Sequence, residues 1–175
     1  MNVDGQILLW TQNNVRSETL TPIVLWLTNS IPYAAGLFVV LLFFRKTRKF
    51  AIFALTGLAV CLVCNAYVVK PLFARPRPFA SVAGLQRIGP VPGGSSFPSS
   101  HTTAVFALAW MSVWCRKRYW IAPLFVYACL VAATRLYLGV HYPTDILGGI
   151  VVACVLSYLT YKCLSWISKK TVITQ

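Results

Sequence analysis

The sequence has few charged residues, and acids are the scarcest of them. Only 11% of its 175 residues are charged, against about 25% in a typical soluble domain, and only three are Asp or Glu. Hydrophobic residues make up 58% of the chain, and the mean hydropathy is +0.69. Several apolar runs approach the roughly 20 residues that a helix needs to cross a bilayer. This composition excludes an ordinary soluble domain and predicts an all-α, polytopic membrane protein with a single domain spanning residues 1–175.

The lack of acids also limits the chemistry that is possible. Two-metal sites need several carboxylates, and only Asp145 is placed where it could serve as one. The six cysteines all lie in or beside apolar runs. Cys61 and Cys64 have CxxC spacing, but the two further ligands that zinc requires are missing. We therefore expect neither a metal nor another cofactor.

The net charge of +13 is the balance of sixteen Lys and Arg residues against three acids. In a soluble protein, such a charge would suggest nucleic-acid binding, but no basic helix or stacking surface stands apart from the apolar runs. Most of the charge lies in short clusters between those runs, where it orients a membrane protein and contacts anionic lipid headgroups. The expected partners are membrane lipids, and nucleic acid is not among them.

Five membrane spans are expected, together with two segments of another kind. The spans cover about residues 22–44, 50–69, 99–115, 119–138 and 144–166. Residues 1–19 are too polar to span and predict an interfacial helix, with no sign of a cleaved signal peptide. Residues 71–98 contain six prolines and four glycines, which forbid a continuous helix. Loops of this length are usually functional.

Basic residues between the spans predict the orientation. Ten of the sixteen fall on one side of the five-span arrangement, and the positive-inside rule places that side in the cytoplasm. These ten are Arg45, Lys46, Arg48, Lys49, Arg116, Lys117, Arg118, Lys162, Lys169 and Lys170. The loop 71–98 and the connection 139–143 are then expected to face outward.

The rarest polar residues gather at the outward ends of the spans. The chain has only two histidines, His101 and His141, and its third acid, Asp145, follows His141 by four residues. Ionisable groups at membrane depth are costly, so their presence predicts function. At this spacing, Asp145 can hold one imidazole nitrogen of His141 and leave the other free to act as a base or a nucleophile.

Cations on the same side predict a phosphate site. Lys70, Arg77 and Arg135 can converge there, and arginine can bind two phosphate oxygens at once. Arg135 lies on the outward side, where the positive-inside rule predicts few basic residues. This position argues against a simple contact with lipid headgroups. Arg75 and Arg87 could equally well be snorkelling toward headgroups.

The segment 97–102 contributes further donors to this side. Pro98 and Ser99 predict a helix start with Ser99 as the N-cap, and Ser100 follows it. The N-terminus of a helix presents free N–H groups that suit an anion. The same residues are equally typical of a helix that is simply well capped, so this segment by itself leaves both a helix cap and a contact with the phosphate open.

Together these residues form a recognisable pattern: Lys70-x6-Arg77-Pro78, then Pro98-Ser99-Ser100-His101, then Thr134-Arg135-x5-His141-x3-Asp145. It resembles the three-part signature of the type-2 phosphatidic acid phosphatase superfamily, which includes lipid phosphate phosphatases, glucose-6-phosphatase and vanadium haloperoxidases. The similarity covers roughly residues 50–160. Two positions depart from the usual pattern: Ser100 stands where glycine is common, and Thr134 stands where serine is common.

The resemblance implies a metal-independent phosphatase acting on a lipid. It implies that His141 is the nucleophile, Asp145 its partner, and His101 the acid that protonates the leaving oxygen. Lys70, Arg77, Ser99, Ser100 and Arg135 would bind the phosphoryl oxygens. The expected substrates are undecaprenyl diphosphate, phosphatidylglycerophosphate or a phosphatidate-like lipid. Phosphotransfer to a second lipid and an anion channel or transporter remain as alternatives.

Overall fold

All the regular secondary structure in the part of the chain that the structure describes is helical. This computed structural model describes residues 3–173, and the side chains of residues 3–170. Its α-helices are α1 (Val3–Asn14), α2 (Leu20–Thr28), α3 (Ile31–Leu41), α4 (Arg45–Cys64), α5 (Lys70–Phe73), α6 (Pro78–Ser81), α7 (Ser100–Trp114), α8 (Arg118–Tyr137) and α9 (Pro143–Ile173), with a π-helical turn at Asn65–Val69 between α4 and α5. The prediction of an all-α membrane bundle is confirmed.

Helix α7 forms the centre of the bundle and packs against α4, α8 and α9. Every residue of the stretch 102–109 is buried. A helix that is buried on all sides needs no polar face. Its alanines, Ala104, Ala107 and Ala109, allow the neighbouring backbones to approach closely. Because the first turn of α7 carries His101, this packing fixes one histidine at the end of the core.

The first predicted span, residues 22–44, is not one helix. It is divided into α2 and α3, which meet at an angle of 42°. At the break, the Ser30 hydroxyl donates to the Leu27 carbonyl over 2.7 Å. Pro32 lies in the first turn of α3, where its missing N–H costs no hydrogen bond. Hydropathy alone treats this stretch as continuous because the break interrupts the apolar run with only two polar residues.

The count of five spans is not confirmed. By length and composition, three helical stretches qualify, namely Arg45–Ser81, Arg118–Tyr137 and Pro143–Lys170, and the bent pair α2 and α3 makes a fourth. The third predicted span corresponds to α7, whose 15 residues rise only about 22 Å. A helix surrounded by longer helices does not face lipid along its whole length, so it can be shorter than the hydrocarbon layer.

The second predicted span does not end at Lys70 but continues to Phe73 through the π-helical turn. Pro71 explains the widened turn, because a proline ring clashes with the carbonyl four residues earlier, here that of Tyr67. Ala74 then adopts a left-handed backbone with φ 42° and ends the helix. The turn carries Asn65 and Lys70 toward the start of α7, and π-helical turns of this kind are frequent at functional sites.

The N-terminal segment packs on the loop that follows α5. Leu8 of α1 is fully buried against Leu85 and Tyr142. The Gln12 side chain donates to the Gly84 carbonyl over 3.1 Å, and Arg16 donates to the Gln86 carbonyl over 2.6 Å. The helix predicted within residues 1–19 is present as α1, with Met1 and Asn2 outside the described residues. Its placement at the membrane interface remains a prediction.

Close packing of α9 on the start of α7 should make Gly149 essential for stability. A Cβ atom at Gly149 would lie 3.1 Å from both the Ser99 carbonyl oxygen and Thr102 Cβ, whereas one at Gly36 would meet nothing within 4 Å. We expect Gly149→Val to lower the free energy of unfolding by about 1–3 kcal/mol and to lower the melting temperature in detergent, because α7 and α9 must move apart to make room for the side chain. Gly36→Val is the matched control, and equal melting temperatures for the two variants would contradict this packing.

Candidate functional site

His141 lies in the short connection between α8 and α9, where it is almost completely buried. Gly139, with φ +69°, allows the chain to turn back directly after α8. Pro143 then begins α9, and its first turn carries Asp145. Nδ1 of His141 lies 3.4 Å from Oδ2 of Asp145. A carboxylate at this nitrogen favours the tautomer with the proton on Nδ1, so Nε2 carries the free lone pair.

Asp145 is fully buried and accepts hydrogen bonds from several parts of the chain. The Tyr142 N–H donates to Oδ2 over 2.9 Å, and the Ser96 hydroxyl donates to the same oxygen. Oδ1 accepts a hydrogen bond of 2.7 Å from Arg75. A buried carboxylate with this many donors is held in one orientation, and it holds the ring of His141 in turn.

Burial also sets the protonation state of His141. Removal from water lowers the pKa of His141 to about 4, and the hydrogen bond with Asp145 opposes this effect only in part. The ring is therefore neutral at pH 7. A neutral imidazole with an unprotonated Nε2 can act as a nucleophile, which an imidazolium cannot.

Arg77 faces the open side of the His141 ring. Its NH1 lies 3.4 Å from Nε2 of His141 and 3.2 Å from the Val140 carbonyl oxygen. The remaining nitrogens bind carbonyls of the loop, with NH2 donating to Gly93 over 2.7 Å and Nε to Gly94 over 3.3 Å. Each of these partners is a neutral acceptor, so the positive charge of the guanidinium is not cancelled.

Arg135 and His101 line a cavity of about 260 Å³ beside this pair. NH1 of Arg135 donates to the Thr28 hydroxyl over 2.5 Å. Its buried Nε has no hydrogen-bond partner among the described residues. His101 lies within electrostatic range of the charges on Arg135 and Arg77. The cavity is therefore lined by a histidine and an arginine.

Lys70 joins the same end of the bundle from α5. Its Nζ donates to the Ser95 carbonyl over 2.5 Å. It also lies within electrostatic range of Arg77 and Asp145. The structure thus brings Lys70, Arg77, Arg135 and both histidines together, although they come from three separate parts of the sequence.

The two serines make different contacts from those expected of phosphate ligands. Ser99 is fully buried and caps α7, where its Oγ accepts from the Thr102 N–H over 3.4 Å and from the Thr102 hydroxyl over 3.0 Å. Its own N–H donates to the Asp145 backbone carbonyl over 3.1 Å. The expected N-cap is therefore present. Contact of Ser99 and Ser100 with a phosphate remains a prediction.

The two positions that depart from the usual motif both have partners within the bundle. The hydroxyl of Ser100 accepts a hydrogen bond of 3.1 Å from Asn65. The hydroxyl of Thr134 donates to the Val131 carbonyl of its own helix over 2.6 Å. Neither substitution leaves an unsatisfied hydroxyl, so both are compatible with the site.

Sequence reasoning missed three residues of this site, Asn65, Ser96 and Asp4, and left Arg75 open between a headgroup contact and a role in the site. A signal was available for Asn65, because an amide inside an apolar run is costly and suggests function. Its Oδ1 is buried without a hydrogen-bond partner among the described residues. Ser96 and Asp4 gave no such signal, since each lies in a loop or near the N-terminus, where polar residues are ordinary.

Comparison with known proteins bears on the family of this chain. The family model of the PAP2 superfamily matches residues 48–169. The chain is 34% identical over 134 residues to the undecaprenyl-diphosphatase BcrC of Bacillus subtilis, covering 75% of this chain and 67% of that protein. It is 31% identical to a lipid A 4′-phosphatase of Porphyromonas gingivalis, covering 71% of this chain and 57% of that protein. The chain thus spans about two thirds or less of the length of these relatives.

A solved structure supports the fold independently. The transmembrane PAP2-type phosphatidylglycerolphosphate phosphatase of Bacillus subtilis superposes with a TM-score of 0.76 at 23% identity, over 94% of this chain and 85% of that one. The prediction of a membrane lipid phosphatase is confirmed at the level of family and enzyme class. The family match covers well over half of the sequence, and so this chain belongs to the PAP2 superfamily.

Proposed function

We propose that this protein hydrolyses a lipid phosphate or diphosphate through a phosphohistidine on His141. The observation that carries the proposal is the geometry around the imidazole. The Asp145 carboxylate lies next to Nδ1 of His141, and Arg77 lies next to Nε2 of the same ring. A nearby cavity is lined by His101 and Arg135. The proposed acid and one cation thus line the cavity, and Val140, which also lines it, directly precedes the proposed nucleophile.

In the proposed first step, the lone pair of His141 Nε2 attacks phosphorus and the bond from phosphorus to the lipid oxygen breaks. His101 donates a proton to that leaving oxygen. Arg77, Arg135 and Lys70 stabilise the charge on the phosphoryl oxygens, which requires donors already fixed in place. Their neutral partners support this role, because their charge is available to an anionic substrate.

In the second step, water attacks the phosphohistidine. His101, now deprotonated, accepts a proton from that water, the N–P bond breaks, and inorganic phosphate leaves. His141 returns to its neutral state with the Nδ1 proton still held by Asp145. Both histidines return to their starting protonation states, so the lipid substrate and water are the only reactants that the cycle needs.

Undecaprenyl diphosphate is the substrate we propose first. Relatives with this activity in their names come from Bacillus subtilis and Sulfolobus acidocaldarius, and the second is 32% identical over 70% of this chain. The cations gather at one end of the bundle, as an interfacial phosphate requires. Because ten other basic residues occupy the opposite end by sequence, we propose that the site faces away from the cytoplasm.

Replacing the proposed nucleophile tests the mechanism. His141→Ala should lower the rate of phosphate release from undecaprenyl diphosphate by roughly 10³-fold or more, because no other group can take the phosphoryl. The side chain lies in a connection rather than in the helical core, so the melting temperature should stay within a few degrees of wild type. Near-normal turnover by a folded His141→Ala protein would rule out a phosphohistidine at this position.

Chelation tests the absence of metal chemistry. Among residues 3–173, no three His, Cys, Asp or Glu side chains group together as metal ligands do. Phosphate release should therefore be unchanged in excess EDTA, and vanadate should inhibit it by occupying the site as a five-coordinate phosphorus analogue. Loss of activity on chelation, with recovery on adding Mg²⁺ or Zn²⁺, would contradict the mechanism.

Accessibility of single cysteines tests the orientation. With the native cysteines replaced, Gly93→Cys in the loop beside Arg77 should react with a membrane-impermeant maleimide in intact cells. Thr47→Cys, at the start of α4, should react only after the membrane is permeabilised. The reverse pattern would place the site in the cytoplasm and would remove the argument for a substrate in the outer leaflet.

A further inference from the structure

The Arg75 side chain links the proposed catalytic pair to the N-terminal helix. NH1 of Arg75 lies 2.7 Å from Oδ1 of Asp145, and NH2 lies 2.9 Å from Oδ2 of Asp4. The guanidinium carbon also lies 4.0 Å from the centre of the Tyr142 ring. One arginine thus joins two of the three acids in the sequence and stacks on an aromatic face between them.

Thr144 closes this network at the start of α9. Its hydroxyl donates to Oδ2 of Asp4 and accepts a hydrogen bond of 2.6 Å from Arg75. The side chains of Arg75 and Asp4 are only 26% and 13% exposed. At this degree of burial, water screens the ion pairs less than it does at an open surface.

Helix α1 holds Asp4 at this place through contacts of its own. Leu8, one turn after Asp4, is buried against Leu85 and Tyr142. Gln12 accepts a hydrogen bond of 2.7 Å from the Gln86 N–H. Because these contacts lie outside the ion-pair network, α1 should stay docked when the Asp4 carboxylate is removed.

We propose that Asp4 is a positioning residue for His141, acting through Arg75 and Asp145. The inference rests on the function proposed above. Asp4 and Thr144 hold one side of the guanidinium so that the other side meets Oδ1 of Asp145 in a fixed direction. The Asp4 carboxylate also offsets part of the positive charge of Arg75. Arg75 then withdraws less electron density from Asp145, and the Asp145 carboxylate is a stronger acceptor for the Nδ1 proton of His141.

The expected effect separates kcat from KM. Without the Asp4 charge, Arg75 acts on Asp145 alone, His141 becomes a weaker nucleophile, and kcat should fall roughly tenfold, as when other outer partners of a functional histidine are lost. KM should not rise, because removing a negative charge near an anionic substrate does not weaken its binding. Because a general loss of folding would also lower the apparent kcat at unchanged KM, the rates must be normalised to folded protein and compared with the melting temperatures.

The experiment compares Asp4→Asn, Asp4→Glu and Glu18→Gln with wild type, in detergent and normalised to folded protein. Glu18→Gln removes the same charge from an exposed residue that forms none of the ion pairs seen among the described residues. We expect a lower kcat with no increase in KM for Asp4→Asn, partial recovery for Asp4→Glu, and wild-type values for Glu18→Gln. Melting temperatures of all four proteins should agree within a few degrees.

Three results would overturn the inference: wild-type kcat for Asp4→Asn, an equal loss for Glu18→Gln, or a kcat loss matched by a fall in melting temperature. None of these three results contradicts the proposed function. The proposed function is contradicted instead if wild type and Glu18→Gln release no phosphate from any lipid phosphate. The two failures therefore differ in the behaviour of the wild-type enzyme.

Discussion

The buried carboxylate of Asp145 is the group on which the arrangement of the site depends. It accepts hydrogen bonds from Arg75, Ser96 and the Tyr142 N–H, and it approaches His141 within 3.4 Å. A carboxylate can be removed from water only where donors replace its hydration. Meeting that requirement brings the loop after α5 and the connection before α9 to one point. The ring of His141 is held there as a result.

Scarcity of acids elsewhere gives the site its electrostatic character. Arg77, Lys70 and Arg135 are bound by backbone carbonyls or a hydroxyl, and these partners orient a cation without neutralising it. Carboxylates in the same positions would compete with a phosphate for the cations. The composition that marks a membrane protein therefore also keeps these cations free of acidic partners, and the single acid at the centre of the site is shared by His141, Arg75 and Ser96.

Much of the fold and the site could be read from local patterns. Helix α8 lies where the fourth apolar run predicted it, and Ser99 caps α7 as the Pro-Ser pair indicated. The break between α2 and α3 was missed because two polar residues barely change the hydropathy of a long window. The five-span count is not confirmed because α7 is shielded by its neighbours and needs less length, and shielding is a property of the assembled bundle.

Composition and local motifs were enough to assign the protein to its class and to show which ionisable groups it carries. A bilayer admits long apolar helices and penalises stray charges, so the few charged residues that remain stand out in the sequence. Which of these charges pair with each other follows from the packing of the helices and loops. Arg75 is separated from Asp4 by 71 residues and from Asp145 by 70. No local pattern predicts an ion pair over such separations, because it is the packing of α1 on the loop that brings the groups within hydrogen-bonding distance.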